Sequence, residues 1–302
     1  MKRFVMVVCV SLCVLGLPHL AYSGETLLLE DAWSPSWSPD GTALVCNRPT
    51  PTYEDQDIQI WMVSAGGGDP DTLFVDPNGA FGPMWHPDGR HIVYHRFREG
   101  DELPQVYEFV VYDLDGGPSV VWQVPEFWDD PGFSLTPDGE EVLYTVWDPV
   151  DHEIWALNLS SGTTRFLRHG TGGVISPDGQ WLAFFTQNDS LAVEPIRGGE
   201  TRLFETGSFA RWTPDSEKII FTGWSMASNP ELVVVSRDGA YREELTSDPD
   251  CNWGCAVSPQ GDKVAYTKSP RCDDLPLDIW ILELPSTATE QTTWGQIKAL
   301  WK

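Results

Sequence analysis

Six times along the chain a short, mostly apolar segment ends in Trp37, Trp85, Leu135, Ile175, Trp212 or Val257 and runs into a polar turn. The turns read Ser38-Pro39-Asp40-Gly41, His86-Pro87-Asp88-Gly89, Thr136-Pro137-Asp138-Gly139, Ser176-Pro177-Asp178-Gly179, Thr213-Pro214-Asp215-Ser216 and Ser258-Pro259-Gln260-Gly261. Proline presets φ, Asp caps the turn through its side chain, and Gly accepts positive φ. An apolar strand leaves each turn, such as Ala43-Leu44-Val45-Cys46, His91-Ile92-Val93-Tyr94 or Lys218-Ile219-Ile220-Phe221. A polar loop of variable length leads to a third strand, such as Ile58–Val63 or Ile279–Leu282, and a Gly-rich hairpin leads to a short fourth.

The turn prolines are 48, 50, 40, 37 and 45 residues apart, a mean of 44. That is the repeat length of propeller blades. The last repeat lacks a fourth strand after Leu284, while Thr26–Glu30 resembles the fourth strands of other repeats. The expectation is therefore an all-β, six-bladed β-propeller with four antiparallel strands per blade, its ring closed by the N-terminal strand.

The apolar-x-Pro-Asp-Gly turns, the Ile-Val-Tyr-like strand and the Asp-Ile-Trp-like strand resemble the WD-type repeats of the TolB-like β-propeller family. The resemblance covers about Thr26 to Leu284. It implies the fold more than the function, because such repeats also occur in propellers attached to serine peptidases and in some polysaccharide lyases. TolB carries an N-terminal α/β domain for which the stretch from Gly24 to Trp37 has no room, so the resemblance is to the propeller only.

Lys2 and Arg3 precede an apolar run from Phe4 to Leu17, and Ala21-Tyr22-Ser23 supplies small residues at its end. This pattern reads as a secretory signal peptide over residues 1–23. It predicts a periplasmic or secreted protein with the propeller over residues 24–285. In the tail, residues 286–302, Trp294, Ile297 and Trp301 fall at the spacing of a short amphipathic helix.

The 302 residues hold 45 acidic and 19 basic side chains, a formal charge of −26. That balance excludes nucleic acid and anionic membrane surfaces as partners, since both need a clustered basic face. No segment after the leader is apolar over a spanning length. The loops between second and third strands, and those between blades, gather acids and tryptophans. They hold Asp55, Asp57, Trp128, Asp129, Asp130, Trp147, Asp148, Asp250, Asp273 and Asp274. Loops on a rigid scaffold are where binding sits, and a single-sign field steers a cationic partner. These residues are the candidate binding face, for a basic protein or peptide bound by a monomeric, non-catalytic scaffold. The rival reading is a carbohydrate-binding or carbohydrate-active protein using the same mouth.

No cofactor is expected. Calcium at the channel mouth is the alternative kept open, and Asp113-Leu114-Asp115-Gly116-Gly117 is better explained as turn chemistry. His86 lies in a turn, and His91 and His95 are four apart on one strand, so they share a face. No Gly-x-Ser-x-Gly elbow is present. After the leader four cysteines remain, an even number that favours disulfides in an oxidising compartment. Cys251–Cys272 is the first choice, Cys46–Cys255 a second, and zinc on three cysteines a competitor.

Overall fold

The computed structural model describes residues 24–49, 58–98, 106–124, 127–128, 132–146, 148, 151–225, 228–247, 249–270, 272 and 277–285. Among them every regular element is a strand. The chain opens with β1 (Glu25–Leu29), then β2 (Trp33–Trp37), β3 (Ala43–Arg48), β4 (Gln59–Ser64) and β5 (Asp71–Val75). Next come β6 (Phe81–Trp85), β7 (His91–Arg98), β8 (Val106–Asp113) and β9 (Gly117–Val124). They are followed by β10 (Phe127–Trp128), β11 (Ser134–Leu135), β12 (Glu141–Val146), β13 (Glu153–Asn158) and β14 (Thr164–His169). The second half holds β15 (Thr171–Ile175), β16 (Trp181–Phe185), β17 (Ser190–Pro195), β18 (Arg202–Trp212), β19 (Lys218–Ser225), β20 (Ser228–Ser236) and β21 (Arg242–Glu244). The last three are β22 (Cys251–Val257), β23 (Lys263–Ser269) and β24 (Asp278–Glu283).

The expectation of six separate four-stranded blades is corrected. Hydrogen bonds join the described strands into five sheets, and only three of these are four-stranded: β2 to β5, β6 to β9, and β22-β23-β24-β1. A fourth sheet has five strands, because β10 and β11 both pair with β12, Phe127 opposite Val146 and Ser134 opposite Leu143. The fifth runs unbroken through seven strands, β15 to β21. Its cause is β18, eleven residues long: Arg202 to Thr206 pair with β17, and Gly207 to Trp212 pair with β19. No turn separates two successive repeats there, so one strand serves both.

The innermost strands β11, β15, β18, β22, β2 and β6 contact one another in that order, so the sheets curve around a central channel. β1 pairs antiparallel with β24, Glu25 opposite Leu282, which joins the two ends of the chain in one sheet. The core lies between neighbouring sheets: Val45 and Ile60 pack against Ile92, Tyr94 and Val110, and Val93 and Phe109 against Val142, Tyr144 and Leu157. The apolar alternation puts these side chains inside because each sheet must bury both faces against its neighbours.

The Pro-Asp-Gly turns close as their residues dictate. Asp40 accepts from Ser38 Oγ at 2.6 Å and Thr42 N at 3.0 Å, and Gly41 takes φ of 73°. The Ser38 hydroxyl and the Thr42 amide hold the Asp40 carboxyl at about 2. Turns of adjacent repeats touch, Gln260 Nε2 donating to Asp40 O at 3.1 Å and Asp178 N to Ser216 Oγ at 3.0 Å, so they crowd onto one face.

Candidate functional site

The channel encloses a cavity of about 690 Å³, within the roughly 300–1,000 Å³ usual for ligand pockets. Its wall is built from β2, β6, β18, β22 and residues 132–133, and it is strongly aromatic: Trp33, Trp37, Phe81, Phe133, Phe209, Trp212 and Trp253. Two of these tryptophans also bridge innermost strands: Trp37 Nε1 donates to Ala256 O at 2.9 Å, joining two sheets, and Trp212 Nε1 donates to Val174 O at 3.0 Å, joining β18 to β15 within the seven-stranded sheet.

A backbone device recurs around the channel, five of its six positions lining the cavity. Five residues before each turn proline the chain takes positive φ, at Ser34 (53°), Gly82 (57°), Gly132 (82°), Gly172 (61°), Phe209 (55°) and Gly254 (46°). Strand register slips at five of these points, between Trp33 and Ser36, Phe81 and Met84, Thr171 and Val174, Ser208 and Arg211, and Trp253 and Cys255. Such bulges bend a strand and re-aim its side chains. Four of the six positions are glycine, which enters the left-handed region without steric cost. Ser34 and Phe209 are not, and both line the cavity. A bulky residue held there is backbone strain of the kind that gathers at functional sites.

Two residues after Phe209 lies Arg211. The corresponding positions of the other repeats are Ser36, Met84, Ser134, Val174 and Ala256, so Arg211 alone brings a charge to this ring. It is half-buried and lines the cavity, and burial pushes its guanidinium pKa down. Its hydrogen bond goes from Nη1 to the carbonyl of Ala210 at 2.8 Å, and among the described residues no carboxylate forms an ion pair with it. The neighbouring Cys255 supplies no charge: burial pushes its thiol up to about 12 despite Arg211, and its Sγ faces the Ile220 carbonyl at 3.5 Å and that of Phe209 at 3.6 Å. Sequence reasoning missed both the bulge and Arg211. The signal was a column in the repeat alignment, glycine at four of six positions and arginine at one of six.

Of the candidate binding face, Asp55, Asp57, Asp129, Asp130, Trp147, Asp273 and Asp274 lie outside the described residues, and of Trp128 only the strand position is described. Asp148 is exposed and caps its own loop, accepting from Asp151 N at 3.0 Å. Asp250 lies 3.9 Å from the ammonium of Lys268. Residues 1–23 and the tail with Trp294, Ile297 and Trp301 are likewise outside the described residues.

Cys251 and Cys272 form a disulfide, with Cα atoms 5.3 Å apart. Cys46 and Cys255 are both free and buried, so the second pairing does not form, nor do three cysteines share a metal. The histidines group differently from the strand-based expectation. His95 is buried among Phe81, Phe109 and Phe133, whereas His91 lies at the outer end of β7 and joins His86 and Asp88, their ligand atoms within 4.8 Å of one another. Partial burial pushes the Asp88 carboxyl up, but hydrogen bonds from Arg90 N, His91 and His86 outweigh it and hold Asp88 well below the usual range. This trio is therefore a self-contained turn cap. At the calcium-like fragment, Asp113 accepts from Arg90 Nη2 at 2.8 Å and Asp115 N at 2.9 Å, which is turn and ion-pair chemistry.

A ring of antiparallel sheets around a lined channel defines a β-propeller. The sequence is 28% identical over 147 residues to the Tol-Pal system protein TolB of Anaeromyxobacter dehalogenans, a match spanning 47% of this chain and 25% of that protein. It is 23% identical over 269 residues to the uncharacterized protein Atu1656 of Agrobacterium fabrum, covering 78% of this chain and 84% of that one. TolB from Acinetobacter baumannii superposes with a TM-score of 0.60 at 17% identity, over 87% of this chain and 64% of that one. An acylaminoacyl peptidase from Pyrococcus horikoshii gives 0.54 at 16% identity, over 83% of this chain and 43% of that one, so the fold is shared with an enzyme as well. No family model matches. By sequence and structure together the protein is a TolB-like β-propeller.

Proposed function

We propose that the chain is an exported binding propeller of the cell envelope, taking a protein or peptide partner of basic character at the mouth of its channel. The observation that carries this reading is the open, aromatic-walled cavity at the centre of a TolB-like propeller. A preformed concave wall with few polar groups is what a binding site requires. The charge of −26 supports the basic partner, since an acidic field raises the encounter rate of cations and is screened by salt. The leader over residues 1–23 supports export. The candidate acidic loops around the mouth are the docking surface in this reading.

The test is cross-linking capture from native envelope extract, with the tagged protein compared against a variant carrying Asp129→Asn, Asp130→Asn, Asp148→Asn and Asp250→Asn. One dominant protein captured by the wild type at low salt, and lost both in the variant and at high salt, is the expected result. Equal capture by both forms would refute the docking surface. Mass spectrometry of the exported protein should place its first residue at Gly24.

A further inference from the structure

We propose that the channel is a binding site for a carboxylate carried on an apolar or aromatic body, with Arg211 receiving the carboxylate and the surrounding rings receiving the body. Three observations converge on it. First, a guanidinium offers five donors, and among the described residues one of Arg211's is used, on Ala210 O. A cation kept in a cavity wall without an acid partner is costly unless something else supplies the anion. Second, the wall around it is largely apolar and aromatic, with Trp33, Phe209, Trp212 and Trp253 all lining the cavity. Third, Phe209 is held at φ 55° in the same bulge, strain that packing alone gives no reason to keep at a position where four repeats use glycine.

The charge sets the ligand class. Among the described lining residues Arg211 is the one charged group, with Cys255 uncharged, and it compensates one negative charge, so a monoanion fits and a phosphate dianion would enter undercompensated. Arginine's planar fork matches a carboxylate with two parallel hydrogen bonds. The same group keeps cationic side chains out of the cavity itself, so a basic partner docks at the loops of the mouth and brings into the cavity only an apolar or acidic group. The proposal is independent of the docking loops: it concerns the cavity wall, and substitutions at Asp148 or Asp250 leave it untouched.

Isothermal titration of the purified protein with 1-naphthoate and with neutral 1-naphthamide tests it. Wild type should bind the carboxylate about tenfold or more tighter than the amide, the worth of a hydrogen bond to a charged group. In Arg211→Gln the preference should fall to about one with amide binding unchanged, and Arg211→Lys should keep part of it. Trp253→Ala should weaken both ligands alike. The peptide Ala-Ala-Phe against its C-terminal amide separates the two sources of this chemistry. Binding of the free peptide acid assigns the site to a chain terminus as well as to a small molecule, and binding of naphthoate alone assigns it to a small molecule. Naphthoate binding no tighter than the amide in wild type, or a preference that survives Arg211→Gln, overturns the proposal. The wild-type comparison decides even if a variant fails to fold. A second readout is stability: without ligand, Arg211→Met should raise the melting temperature, because it removes a half-buried charge that pairs with no acid among the described residues.

Discussion

At the scale of single residues, the wall of the channel is shaped by backbone conformation as much as by side chains. The position five before each turn proline lies in the left-handed region, and the residue there decides what the bulge costs. At Gly254 an added Cβ would have room, its nearest neighbour being Phe209 at 3.9 Å. Gly254→Ala should therefore lose about 1 kcal/mol from backbone strain alone. Ser34→Gly relieves the same strain and should be neutral or gain up to about 1 kcal/mol. Urea unfolding of the pair checks this. A Ser34→Gly variant as unstable as Gly254→Ala would show that the Ser34 side chain contributes something the backbone argument omits. Arg211 belongs to the same scale. Its column in the repeats is otherwise small or apolar, and one charged substitution turns a structural channel into a chamber with a sign.

At the scale of elements, the strands and their turns were legible because period-two alternation and Pro-Asp-Gly chemistry are local. Ser38, Asp40 and Gly41 do what their residue types dictate. Sheet boundaries were not legible. Whether β18 bends into a turn or runs straight from β17 to β19 depends on non-local pairing, and Thr206–Gly207 carries no turn signature. The division into six separate four-stranded blades failed there and at β10. Of the site, the sequence reading named acidic loops, which composition makes conspicuous, and overlooked the inner strands, whose significance shows only when the repeats are aligned at the bulge.

Sheets are also locked in pairs by polar contacts invisible to periodicity. Asp76, just past β5, accepts from Tyr94 Oη at 2.6 Å and Arg96 Nη1 at 2.6 Å on β7, and Arg96 Nε donates to Glu108 at 2.8 Å. Burial pushes the Asp76 carboxyl up, yet the bonds from Tyr94, Asn78 and Arg96 outweigh it and leave its pKa below the ordinary value. A carboxyl depressed in the folded state stabilises above its unfolded value of 3.8, and that contribution is lost as the pH falls through the folded value. Asp76→Asn leaves Arg96 short of a partner and should cost about 3 kcal/mol at neutral pH. The gap to wild type should narrow on acidification below about pH 4. Urea titrations at pH 7 and pH 3 read both effects, and a pH-independent gap would contradict the ionised pair.

At the scale of the whole molecule, closure is a matter of two long-range links. β1 covers the edge of β24, so removing residues 24–29 should expose a strand edge and shift the protein toward oligomers on size-exclusion chromatography. The Cys251–Cys272 bond spans a sequence separation of 21 residues at the last sheet. Loop-closure entropy puts its loss, as Cys251→Ser with Cys272→Ser, at roughly 3 kcal/mol. Because Cys272 also lines the cavity, the same variant should loosen that part of the wall. An unchanged denaturation midpoint would mean that the link adds nothing to a ring already closed by β1.

Sheets, bulges and links all serve the central claim, that the channel is a binding chamber with Arg211 as its charged contact. The most direct measurement is a crystal structure of the protein soaked with 1-naphthoate. Density for the naphthalene ring between the channel aromatics, with its carboxylate within about 3 Å of the Arg211 guanidinium, is the predicted result. A ligand bound only outside the channel, or a channel filled by water with Arg211 turned onto a carboxylate of the protein itself, would contradict the account.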